Sequence, residues 1–133
     1  MRVSQTILTM RVQAVSSQDQ KIMFVFPGQG SQYVGMGSDL LRDFSAARRR
    51  YEQANDIVGY DLAKLCLEGP QEELKLTRHT QPALLTHSLI CLDIFRELTD
   101  GQVQPTLTAG HSLGEYCALV AAGALSFETA LRL

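Results

Sequence analysis

The 133-residue sequence predicts an α/β fold with parallel strands. Three features carry that expectation. An apolar run of strand length ends in a glycine-rich loop, several stretches then show helical periodicity, and a second short strand passes through Gly-x-Ser-x-Gly into a further helix.

Residues 1–21 stand apart from the rest. They are rich in Ser, Gln and Thr, carry Arg2 and Arg11, and hold no acid before Asp19. This composition weakly resembles a mitochondrial transit peptide. An irregular extension, or a start at Met10 or Met23, is the plainer reading. Residues 22–133 are read as the domain proper.

Residues 22–26 (IMFVF) predict a buried strand, stopped by Pro27-Gly28-Gln29-Gly30-Ser31, where proline and two glycines cannot continue a ladder. Leu40, Leu41, Phe44, Ala47, Tyr51, Ala54 and Val58 recur at three- and four-residue spacing. They predict one amphipathic helix, capped by Ser38 and Asp39 and closed by Gly59. Arg48, Arg49 and Arg50 within it read as a solvated face. Short helical turns follow over residues 61–67 and 73–76. A long helix is expected to open at Thr80-Gln81-Pro82, because proline suits a first turn, and to end at Gly101. His87, on its apolar stripe, reads as packed and hydrogen-bonded. Residues 106–109 predict the second strand, residues 115–122 a helix stopped by Gly123, and Ser126 the cap of a last helix.

Charge narrows the function classes. Twelve basic and 14 acidic side chains give a net charge of -2 and a pI near 5.9. That balance offers no general attraction to nucleic acid or anionic membrane. No run of eighteen apolar residues is present to span a bilayer. Cys66, Cys91 and Cys117 form no Cys-x-x-Cys pair and lie in apolar stretches, which reads as reduced, buried thiols in a cytoplasmic compartment. No Cys/His spacing matches a zinc site, so no metal is expected.

The chemistry gathers at Gly110-His111-Ser112-Leu113-Gly114. A serine at a sharp strand-to-helix turn exposes its Oγ, and flanking glycines remove side chains that would strike the neighbouring strand and helix. The helix that follows aims free N–H groups at the same point, where charge develops when an acyl carbonyl is attacked. Ser112 is the candidate nucleophile, with the Leu113 N–H as one oxyanion donor. A second donor is expected from the loop over residues 27–32, at the Gln29 N–H. The competing readings are a serine that only caps its helix and a loop that binds phosphate, although no Gly-x-Gly-x-x-Gly or P-loop lysine is present. His111 adjoins Ser112, but successive side chains diverge on a tight elbow. It reads as an elbow residue near the substrate and not as the base.

FPGQGSQ (26–32), GMG (35–37), YDL (60–62), GP (69–70), TQPALL (80–85) and GHSLGEY (110–116) occur in the order found in malonyl-CoA:acyl carrier protein transacylases. The sequence resembles that family over residues 22–133. The resemblance implies the N-terminal part of an α/β-hydrolase-like acyltransferase subdomain, truncated at its C-terminus, with the family's ferredoxin-like subdomain absent. It further implies that Ser112 takes a malonyl group from malonyl-CoA and yields it to the phosphopantetheine thiol of acyl carrier protein, in fatty acid biosynthesis. Gln29 and Leu113 would then form the oxyanion hole, with Gln29 and His111 lying near the substrate. No resident cofactor is implied. The family's catalytic histidine and carboxylate-pairing arginine fall beyond Leu133, and Arg132 is not given that role. A polyketide-serving acyltransferase, a serine esterase or thioesterase, and a non-catalytic piece are the alternatives.

Overall fold

The computed structural model describes residues 21–133. Nearly all of the expected N-terminal extension lies outside them. The first strand, β1, is Met23–Phe26, followed by helices α1 (Ser38–Asp43), α2 (Ser45–Val58), α3 (Leu62–Glu68), α4 (Gln71–Leu74) and α5 (Thr77–Leu98). Strand β2 (Leu107–Gly110), α6 (Gly114–Ala121) and α7 (Phe127–Arg132) complete the order. The two strands pair in parallel with Met23 opposite Leu107 and Phe26 opposite Gly110.

One face of this sheet carries helices. Phe24 meets Phe95 of α5 edge to face, with ring centroids 5.5 Å apart. The Thr108 hydroxyl donates to the Ala118 carbonyl of α6 at 2.9 Å. The opposite face is bare: Met23, Val25 and Leu107 are 54%, 68% and 61% exposed. The expectation of a buried strand therefore holds only at Phe26, because no layer of the described residues lies over the second face. The core lies instead among the helices, where Tyr51, Leu62, Leu74, Leu85, Leu89 and Ile90 are fully buried.

Three helical expectations are corrected. The stretch over residues 38–58 is two helices, broken at Phe44, whose backbone is extended (φ -124°, ψ 125°). The apolar stripe runs through the break, so periodicity cannot reveal it. The break is supported by Arg48, whose guanidinium donates to the Leu41 and Arg42 carbonyls at 3.1 and 2.9 Å and so occupies acceptors at the end of α1. The arginine triplet is accordingly more than a solvated face. Arg49 donates to the Ser45 hydroxyl at 2.9 Å, and Arg50 pairs with Asp93 of α5 while its guanidinium stacks 4.4 Å from the Phe127 ring centroid. Helix α5 starts at Thr77, with the Leu76 carbonyl accepting from the His79 and Thr80 N–H groups at 2.8 Å each. Pro82 thus lies inside the helix, where it has no N–H to give to the carbonyl four residues back.

Ser38 and Asp39 do not cap α1, whose N-cap is Gly37 in a left-handed conformation with no side-chain cap bond, whereas the Ser126 and Gly59 caps recur as expected. Asp61 accepts from the Lys64 N–H, and Ser126 from the Thr129 N–H. Gly59 ends α2 at φ 78°. Cys66 and Cys117 are buried, whereas Cys91 is exposed, because it falls at the edge of the α5 stripe that faces solvent. His87 is packed, but its Nδ1 is buried without a partner, so the expectation of a fully hydrogen-bonded ring fails. Burial holds its pKa below the usual histidine range, against an opposing pull from Asp39.

Candidate active site

The β2–α6 junction is built as a sharp elbow. The His111 N–H donates to the Phe26 carbonyl at 3.1 Å, which extends the sheet ladder by one residue. Ser112 then takes a left-handed conformation, φ 54°, rare for a residue with a side chain. Leu113 returns to helical dihedrals, and the Gly114, Glu115 and Tyr116 N–H groups close onto the His111, Ser112 and Leu113 carbonyls at 2.9–3.0 Å. Ser112 is exposed.

The flanking glycines are required by contact. A Cβ on Gly110 would lie 1.9 Å from the Gly114 carbonyl carbon, and one on Gly114 would lie 2.3 Å from the Phe26 carbonyl oxygen. Strand, elbow and helix therefore touch backbone to backbone. The same proximity brings in the first loop: a Cβ on Gly28 would meet the His111 carbonyl oxygen at 2.6 Å and its Nδ1 at 2.8 Å. Gln29, next to Gly28, and Leu113, next to Gly114, thus belong to adjoining backbone segments. Among the described residues, neither the Gln29 nor the Leu113 N–H donates to a protein acceptor. The Gln29 side chain reaches the Thr77 hydroxyl of α5 at 3.4 Å.

A cavity of about 440 Å³ opens beside the serine, lined by Ser112 and Leu113 from the elbow and by Arg78, Gln81, Pro82 and Leu85 from one face of α5. Tyr60 and Tyr116 add hydroxyl-bearing rings. Burial raises the Tyr60 pKa, and its hydroxyl has no partner. Neither Gln29 nor His111 lines this cavity, nor, among the described residues, does any histidine or carboxylate side chain. His111 instead packs against Gly28. Arg78 and Gln81 were not singled out from the sequence. Their signal was present, since positions 78, 81, 82 and 85 share a helix face, but placing the helix start at Thr80 hid it. Among the described residues no group of three or more His, Cys, Asp or Glu side chains is placed to hold a metal ion. No helix among them is long and apolar enough to cross a membrane.

An exposed serine at positive φ in a sharp, glycine-flanked strand-to-helix turn has the backbone geometry of a nucleophile elbow. Comparison with known proteins agrees: the acyl transferase domain family matches residues 23–133, and the chain belongs to that family. It is 52% identical over 111 residues to the malonyl CoA-acyl carrier protein transacylase of Bacillus subtilis (strain 168), covering 84% of this chain and 34% of the relative. It is 50% identical over 121 residues to a protein of Drosophila melanogaster named as a probable mitochondrial malonyl-CoA-acyl carrier protein transacylase, covering 90% of this chain and 31% of that one. A crystal structure of an acyl carrier protein S-malonyltransferase from Vibrio cholerae superposes with a TM-score of 0.80 at 45% identity, covering 85% of this chain and 36% of that chain. The chain therefore spans about a third of the length of the relatives it matches.

Proposed function

We propose that Ser112 attacks the thioester of malonyl-CoA, forms a malonyl ester, and passes the malonyl group to the phosphopantetheine thiol of acyl carrier protein, as in fatty acid biosynthesis. The carrying observation is the positive φ of Ser112, which turns an exposed hydroxyl toward a cavity at the joint of two glycine-tightened segments. In the first step the Ser112 Oγ–C bond forms, the C–S bond to coenzyme A breaks, and the hydroxyl proton leaves with the thiolate. The Leu113 and Gln29 N–H groups stabilise the oxyanion between these events. Removing one such donor typically costs about 100- to 1000-fold in rate. No base lines the cavity among the described residues, so acylation by this chain alone is slow. The substrates supply the only cofactor-like groups, coenzyme A and the pantetheine arm. The reading places the work in the cytoplasm, or in a mitochondrion if residues 1–21 act as a leader.

Incubation with radiolabelled malonyl-CoA, followed by intact mass measurement, tests the reading. A malonyl adduct absent from Ser112→Ala is the expected result. An unmodified wild-type chain after prolonged incubation, or an adduct that survives the substitution, refutes it. Transfer of the label to holo-carrier protein in preference to water separates transfer from hydrolysis.

A further inference from the structure

The wall of the Ser112 cavity holds one charged side chain among the described residues, and its sign is positive. Arg78 stands there on the first turns of α5. Its side chain is 71% exposed, so the guanidinium lies at the solvent end of the cavity. The carboxylate nearby, Glu73, is itself half exposed and 3.8 Å away. An exposed pair of that kind contributes little and leaves most of the five N–H donors unengaged. The one other polar contact is a long one, from Arg78 Nε to His79 Nε2 at 3.4 Å. On the same wall the Tyr60 hydroxyl is buried without a partner. The lining is thus rich in donors and free of carboxylate side chains, which suits a ligand bearing anionic oxygens.

Both substrates proposed above present the reacting sulfur at one end of a pantetheine arm and a phosphate at the other. The arm is a long, extended chain, and the cavity of about 440 Å³ is open to solvent at Arg78. A thioester placed at Ser112 leaves the rest of the arm to run along the lining toward solvent, and Arg78 is the exposed cation on that lining. We propose that Arg78 binds the phosphate of the phosphopantetheine arm, the group that coenzyme A and the loaded carrier share. The proposal rests on the malonyl-transfer reading of Ser112. It assigns Arg78 to the carrier end of the substrate and not to the acyl end. A guanidinium suits the role because its planar fork meets two phosphate oxygens at once, which the point charge of lysine does not.

The test measures the rate of Ser112 labelling in the wild type, Arg78→Ala and Arg78→Lys with two donors, malonyl-CoA and phosphate-free malonyl-pantetheine. With malonyl-CoA at low salt, Arg78→Ala lowers kcat/KM about tenfold, mainly through KM, and Arg78→Lys restores part of the loss. The deficit shrinks as salt is raised. With malonyl-pantetheine the three chains label alike. Release of the label to holo-carrier protein against free pantetheine gives the same contrast for the second source of phosphate. Equal losses with both donors, or no loss with either, overturn the role of Arg78 while leaving Ser112 as nucleophile. A wild-type chain that neither donor labels overturns the malonyl-transfer reading itself.

Discussion

Replacing Ser112 by glycine or by alanine removes the same hydroxyl but treats the backbone differently. At φ 54° the Cβ of any L-residue crowds the following carbonyl, at a cost of about 1–2 kcal/mol that glycine does not incur. Glycine also gives the unfolded chain more freedom, which takes back about 0.4–1 kcal/mol. The Ser112 hydroxyl makes no hydrogen bond among the described residues, so its loss adds nothing to either variant. The difference leaves Ser112→Gly more stable than Ser112→Ala by about 0–1.6 kcal/mol, centred near 0.8. At this chain size that is a few degrees in Tm, or a few tenths molar in the urea midpoint at an unchanged m-value. Neither variant forms the malonyl ester. An alanine variant more stable than the glycine one would show that the elbow is unstrained and that the argument from backbone geometry is wrong.

Gly110→Ala drives a methyl group into the Gly114 backbone. It is expected to cost more than about 3 kcal/mol, beyond the usual range for overpacking, read as a collapse of the urea midpoint together with loss of Ser112 labelling. The depressed pKa of His87 makes its neutral form the one the fold prefers. Its contribution to stability is present above the unfolded value of about 6.5 and is lost as pH falls, so His87→Gln should flatten the slope of stability against pH below neutrality. Burial pushes the Cys66 and Cys117 thiols up to about 11 from 9.0. Stability is therefore full below pH 9 and declines as pH rises toward 11, while a thiol reagent at pH 8 titrates only Cys91 until urea is added. Finally, Val25→Lys on the bare sheet face should reduce concentration-dependent light scattering without lowering the Tm; unchanged scattering would show that self-association arises elsewhere.

Strand β1, the Gly-rich turn, strand β2, the elbow and the caps at Gly59 and Ser126 were legible because each depends on a local rule. Glycine stands where backbones touch, and a hydroxyl or carboxylate stands where a helix leaves N–H groups free. The break at Phe44 was not legible, since it depends on Arg48 reaching back to the Leu41 and Arg42 carbonyls, a contact that no periodicity encodes. The start of α5 at Thr77 was hidden by Pro82, which local rules place in a first turn and packing tolerates deeper inside. At the site, Ser112 and Leu113 followed from the motif. Arg78, Gln81 and Tyr60 did not, because they reach the serine only through the packing of α5 and of the segment between α2 and α3 against the elbow. The exposure of Cys91 escaped for a related reason: an apolar stripe fixes the middle of a buried face better than its margins.

Pairing of β1 with β2 joins segments from nearly opposite ends of the described chain, with five helices between them. Contacts so distant in sequence form late, after the intervening loop has been shortened by local structure. During synthesis Ser112 emerges only after β1 and all five intervening helices. The elbow reaches the first loop only once the intervening span has collapsed. The backbone contacts that shape the elbow, Gly28 against His111 and Gly114 against Phe26, are thereby assembled between segments that no local rule joins.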